Sequence, residues 1–146
     1  MHPIDLAVNK VLALAGRDEP RDLLDVLYQD REVLGLGALC WAACGKDPGL
    51  TPRSLLELLR RRGRVREEDL ARLALTEPVD LVQLKSRWLA ALDRATEFVS
   101  ARPASEAGCL YYSASRQAFV DPTTVPDAVT HYGRPGGVLP RIREDS

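Results

Sequence analysis

Apolar residues recur through the first hundred positions with the period of an α-helix. Between Ile4 and Ala15 they stand at Ile4, Ala7, Val8, Val11, Leu12 and Ala15, the i, i+3, i+4, i+7, i+8, i+11 series of one helical face. Leu6 and Leu14 widen that stripe, so Asn9 and Lys10 are polar exceptions inside a largely apolar helix. Gly16 to Glu19 interrupts the pattern. Pro20, whose missing N–H costs nothing in a first turn, opens a second helix that runs to about Asp30. The 13 residues from Val33 to Gly45 carry no charge, and Leu34 to Cys44 is predicted as the central buried helix, with Gly45 as a left-handed C-terminal cap. Gly35 and Gly37 each cost roughly 1 kcal/mol against alanine in a helix interior, which predicts close backbone packing or a late helix start.

Thr51 and Pro52 supply an N-cap and a proline at the first helical position. They open a fourth helix, Pro52 to Arg62, with Leu55, Leu58 and Leu59 facing inward. Glu67 to Leu73 forms a short fifth. The longest element runs from Val79 to Ala101, with Leu84, Trp88, Ala91, Leu92, Ala95 and Phe98 in one stripe, and spans roughly 34 Å before Pro103 ends it. Strand patterning is confined to Cys109–Ser113 and Gln117–Asp121, one small hairpin that must pack on the helices to be stable. Four of the ten prolines and three of the ten glycines fall in the last 25 residues, without periodicity. The expected architecture is therefore mainly α, a bundle of about six helices with one small C-terminal β-hairpin. A helical domain covers 1–122, and 123–146 is expected to be a disordered tail.

Composition narrows the classes. With 146 residues, 45% apolar and 28% charged, the chain suits one globular domain, and a net charge of −1 excludes a strongly basic nucleic-acid coat. An odd count of three cysteines without framework spacing fits a reducing compartment, and no leader signature precedes Asp5, so the expected location is the cytoplasm. The uncharged run is too short to span a bilayer, and no membrane association is expected.

The chemistry gathers in the first helical hairpin. Lys10 and Arg17 lie on one side of the first helix, two turns apart, and Asp22 and Asp25 share a face at the start of the second. A short connection makes the helices antiparallel neighbours, so these charges can meet across the hairpin. Two readings stand open. The charges form a structural salt-bridge clasp, or lysine and arginine beside a helix N-terminus form a phosphate site whose carboxylates orient the lysine or accept a proton.

The pattern D-L-A-x-N-K-x-x-A-L-x-x-R-x-x-x-R-D-x-x-D, from Asp5 to Asp25, resembles the helical motif of the AbiEii/MenT-like nucleotidyltransferases, toxin components of bacterial toxin–antitoxin and phage-defence systems. The run from Leu81 through Trp88 and Phe98, then Gly108 to Tyr112 and Val120-Asp121-Pro122, is similar to the C-terminal helix and hairpin of that family. The resemblance implies transfer of a nucleotide from a nucleoside triphosphate to an acceptor, with Mg²⁺, the acceptor being tRNA in some members. Lys10 and Asp22 match the family's catalytic lysine and aspartate. Lys10, Arg17 and Arg21 would bind the nucleotide, with Asp25 in support. Such enzymes also carry an N-terminal core with a Gly-Ser loop and a D-x-D pair for the metal. This chain has no Gly-Ser dipeptide and no two aspartates separated by one residue. It is thus expected to be the C-terminal half of such an enzyme, inactive alone and holding neither Mg²⁺ nor triphosphate by itself. Its implied partners are a separate N-terminal nucleotidyltransferase core, encoded apart or upstream of Met1, or a cognate antitoxin. The alternative is a stand-alone helical interaction module or degenerate toxin remnant without catalysis.

Other candidates are weaker. Arg60, Arg61, Arg62 and Arg64, with Arg66 beyond them, form a basic cluster after the fourth helix, either a cationic helix end or a contact with RNA. Cys40 and Cys44 stand i, i+4 on the buried helix and are read as core residues rather than metal ligands, so no metal site is expected. His2, His131, Tyr111, Tyr112 and Trp88 read as packing residues.

Overall fold

The helices start where a side chain or a proline deals with the free N–H groups of a first turn. In the computed structural model, which describes residues 2–73 and 75–132, α1 (Pro3–Arg17) opens with the Ile4 N–H donating to His2 Nδ1 at 3.0 Å. It closes on Asp18, in the left-handed region at φ 54°, whose N–H donates to the Leu14 carbonyl. Pro20 opens α2 (Pro20–Glu32). The carboxylate of Asp30 on α2 caps α3 (Leu36–Lys46), accepting the Leu36 N–H at 2.7 Å. Reciprocal bonds between Thr51 and Ser54 open α4 (Pro52–Arg60), α5 (Glu67–Arg72) follows, and Asp80 caps α6 (Leu81–Ala101) by accepting from Val82 and Gln83. These six helices and a small C-terminal sheet make the chain mainly α, as the periodicity predicts.

Some boundaries move for physical reasons. The central helix starts at Leu36 rather than Leu34 because Gly35 takes an extended ψ of 146° as its N-cap. Gly37 serves the other predicted role: a Cβ there would lie 2.7 Å from Phe98 Cβ and 3.0 Å from Ala95 Cα, so α3 and α6 touch backbone to backbone. Gly45 is not a left-handed cap. It lies inside α3, and a Cβ on it would overlap the carbonyl oxygen of Gly108, which itself sits at φ 98° and donates its N–H to the Trp41 carbonyl at 2.9 Å. This contact docks the sheet onto the bundle.

The sheet is larger than a hairpin. β1 (Cys109–Ser113) pairs on one side with the short β2 (Ala118–Phe119) and on the other with β3 (Ala128–Tyr132), in the antiparallel order β2-β1-β3. The register runs from Cys109 opposite Tyr132 to Ser113 opposite Ala128. β3 corrects the expectation of a disordered tail from residue 123; the rest of that span, 133–146, lies outside the described residues. Asp127 fixes the strand's start, its carboxylate accepting from Ser113 Oγ at 2.7 Å and from the Ser115 N–H at 2.9 Å.

The core centres on α3, where Leu36 through Ala43 are all buried. Trp41 meets the Phe98 ring edge-on at 6.2 Å, and Phe98 meets Tyr111 of β1 at 6.4 Å. Each large side chain buried here contributes about 1.5–3 kcal/mol. Among the described residues no helix is long and apolar enough to cross a membrane.

Candidate functional site

α1 and α2 pack antiparallel on an apolar interior that includes Val11, Leu14, Leu23 and Val26, all buried. The motif charges form a ladder along the rim of this seam. Lys10 Nζ stands 3.0 Å from Asp25 Oδ2, each side chain 33% exposed. At the turn end, Arg17 grips Asp22 with both arms of its fork: Nη2 to Oδ1 at 2.7 Å and Nε to Oδ2 at 3.2 Å. Asp22 is buried at 2% exposure while Arg17 is 63% exposed. The hydrogen bond and charge of Asp22 raise the Arg17 pKa further above its ordinary value, so the guanidinium is a permanent cation. Asp22 also lies in the first turn of α2, where the helix dipole favours an anion.

The sequence-nominated pair Lys10 and Asp22 is therefore not a pair; each meets the other's neighbour. Arg21 is exposed and makes no ion pair among the described residues. Arg17 and Lys10 are positioned by carboxylates yet keep donors to spare, since a guanidinium has five N–H groups and an ammonium three. Such a pair of oriented cations is suited to phosphate oxygens.

Two further motif residues complete the surroundings. Lys46 Nζ of α3 donates to Asn9 Oδ1 at 2.8 Å. Asp5 leaves Oδ1 buried without a hydrogen-bond partner among the described residues. The position of Lys46 was not readable in the sequence, because nothing local announces a partner 37 residues away.

The arginine cluster does not form one patch. Arg60 turns to α6, bonding Thr96 Oγ1 at 2.8 Å and facing Asp93 at 3.6 Å. Arg62 reaches back to the hairpin: its Nη2 and Nε donate to the Ala15 carbonyl at 2.6 and 3.2 Å, and Nη1 lies 3.7 Å from Asp18. It thus satisfies the C-terminal end of α1, the place where a cation is favoured. Arg61 and Arg64 are exposed and make no ion pair among the described residues.

Among the described residues no group of three or more His, Cys, Asp or Glu stands close enough to hold a metal ion. Cys44, half-buried, donates its thiol to the carbonyl of the fully buried Cys40, and burial pushes the Cys44 pKa up to about 12 and that of Cys40 higher still, so both stay protonated thiols. His2 and His131 flank Phe119 at 6.3 and 5.4 Å. No family model matches the chain, and neither does any curated protein or solved structure.

Proposed function

We propose that this chain is the C-terminal helical part of an AbiEii/MenT-like nucleotidyltransferase, acting in the cytoplasm. Its α1–α2 hairpin presents Lys10 and Arg17 to the phosphates of a nucleoside triphosphate. The catalytic Mg²⁺ and the phosphate-gripping loop belong to a core carried elsewhere, and an RNA acceptor or a cognate antitoxin are the further partners this reading implies. The observation that supports it most is the ladder itself: motif cations held in place by motif carboxylates, with N–H donors left over for a ligand. Asp22 and Asp25 act here as positioning residues that hold the cations.

One observation favours a second reading. Lys10 and Arg17 already face a carboxylate, so the hairpin is closed without any ligand and works equally as the clasp of an interaction module. Thermal melts and a fluorescent triphosphate titration of wild type, Lys10→Ala and Arg17→Ala separate the two. The nucleotide reading expects weak binding, reduced severalfold by either change, with the Lys10→Ala melting temperature within about 4 °C of wild type. A larger loss of stability with no change in binding leaves only the clasp.

A further inference from the structure

A second polar seam lies on the opposite side of α2. Leu24, Leu27, Tyr28 and Arg31 form an i, i+3, i+4, i+7 face turned away from Asp22 and Asp25 and towards α6. A cavity of about 310 Å³ opens there, walled by Arg31, Arg87 and Arg94 with Asp30. Arg87, Ala90 and Arg94 stand at i, i+3, i+7 on α6, so the small Ala90 leaves a floor between two guanidinium groups. Asp30 holds Arg94 at 3.2 Å and is itself fixed by the Leu36 N–H. Arg31 pairs with Glu32 at 2.8 Å, and Arg87 makes no ion pair among the described residues. Asp30 and Glu32 each engage one guanidinium, so Arg87 is left without a carboxylate beside the remaining N–H groups of Arg31 and Arg94, a net cationic wall of planar, forked donors suited to a phosphate.

A second cavity of about 240 Å³ adjoins the first as a further arm of the groove, with Leu27, Arg31 and Arg87 lining both. This arm runs beside Tyr28 and Leu75, which are 53% and 39% exposed. They offer a ring face and an aliphatic wall to a flat apolar group. Thr76 and Glu77 line the same arm. A carboxylate accepts hydrogen bonds from hydroxyls and repels a second phosphate, which selects a sugar and a single phosphate rather than a polyphosphate.

We propose that the α2–α6 groove binds a nucleoside monophosphate, its phosphate among Arg31, Arg87 and Arg94, its base against Tyr28 and Leu75, and its sugar hydroxyls at Glu77. This site stands independently of the α1–α2 ladder. Calorimetric titration of the full 146-residue chain with adenosine monophosphate, adenosine and inorganic phosphate tests it, on wild type, Arg87→Ala, Tyr28→Ala and Lys10→Ala. Arg87 and Tyr28 are exposed, so removing either side chain leaves the core intact, and thermal melts verify that. Adenosine monophosphate should bind at least about tenfold more tightly than adenosine or phosphate alone. Arg87→Ala should weaken it about tenfold or more and Tyr28→Ala severalfold. The proposal is overturned if adenosine monophosphate does not bind, if inorganic phosphate binds as tightly, or if Arg87→Ala binds like wild type. Loss of binding in Lys10→Ala alone would assign the ligand to the α1–α2 ladder instead.

Discussion

The α3–α6 seam and the α1–α2 seam join helices by opposite means. The first is apolar and close: Gly37 against Ala95 and Phe98, with Trp41 beside the Phe98 ring, and no room for one more carbon. The second has an apolar interior too, but its rim carries the ion pairs Lys10–Asp25 and Arg17–Asp22. Volume governs the first, so almost any change there is felt as stability. Charge governs the rim of the second, and charges that are partly in water contribute little to stability while fixing where cations point. The polar rim is therefore the seam with latitude to serve a ligand.

The comparison breaks most readily at Gly37. Gly37→Val should cost about 3 kcal/mol, since the new side chain meets backbone on α6 rather than the tip of a flexible residue. A urea-unfolding loss below about 1 kcal/mol would mean that the seam gives way and that closeness is not what holds it. Asp22→Ala comes next, at about 1–2 kcal/mol, because it removes a buried acceptor of two charge-assisted bonds while leaving an arginine that water can solvate. Lys10→Ala should cost only about 0.2–1 kcal/mol, and the difference from wild type should shrink in 1 M salt if it is electrostatic. A Lys10→Ala loss as large as that of Gly37→Val would erase the distinction between the seams.

How much of this was legible in the sequence follows the same division. The helices were, because a 3.6-residue period over ten or more positions is a strong local signal and Thr51 marks a start, although the long helix begins at Leu81 behind the Asp80 cap and not at Val79. The ladder was legible as a set of residues but not as pairs: a one-turn difference in how the helices meet decides whether Lys10 faces Asp22 or Asp25. β3 escaped because five residues, Ala128–Tyr132, sit among prolines and glycines and gain their order from β1 and Asp127. Arg62 on the Ala15 carbonyl and the three arginines of the α2–α6 groove are contacts between distant segments, and composition places no such residues together.

The smallest effect is expected at β3, whose polar staple allows the charge-governed class to be tested by acid. The Ser115 N–H and the Ser113 hydroxyl, both donating to Asp127, hold its pKa down to about 2 from an ordinary 3.8. A depressed carboxylate pKa means that the folded state binds its proton later than the unfolded chain, so the contribution is complete above about pH 4 and is lost as pH falls towards 2. His131, on the same strand, is held below its ordinary 6.5 by burial, and its contribution is lost at a higher pH, as pH falls below that value. The fall due to His131 begins at a higher pH than that due to Asp127, so urea melts at pH 7.5, 5, 3.5 and 2.5 on single variants separate the two. Asp127→Asn should flatten the fall below about pH 4, while His131→Gln should flatten the fall that begins as pH drops through 6.5. Ser113→Ala, which removes one of the two donors, should flatten the acid limb partly. Equal acid limbs in wild type and Asp127→Asn would show that the staple does not hold β3, and that the strand, like the α3–α6 seam, is kept by packing alone.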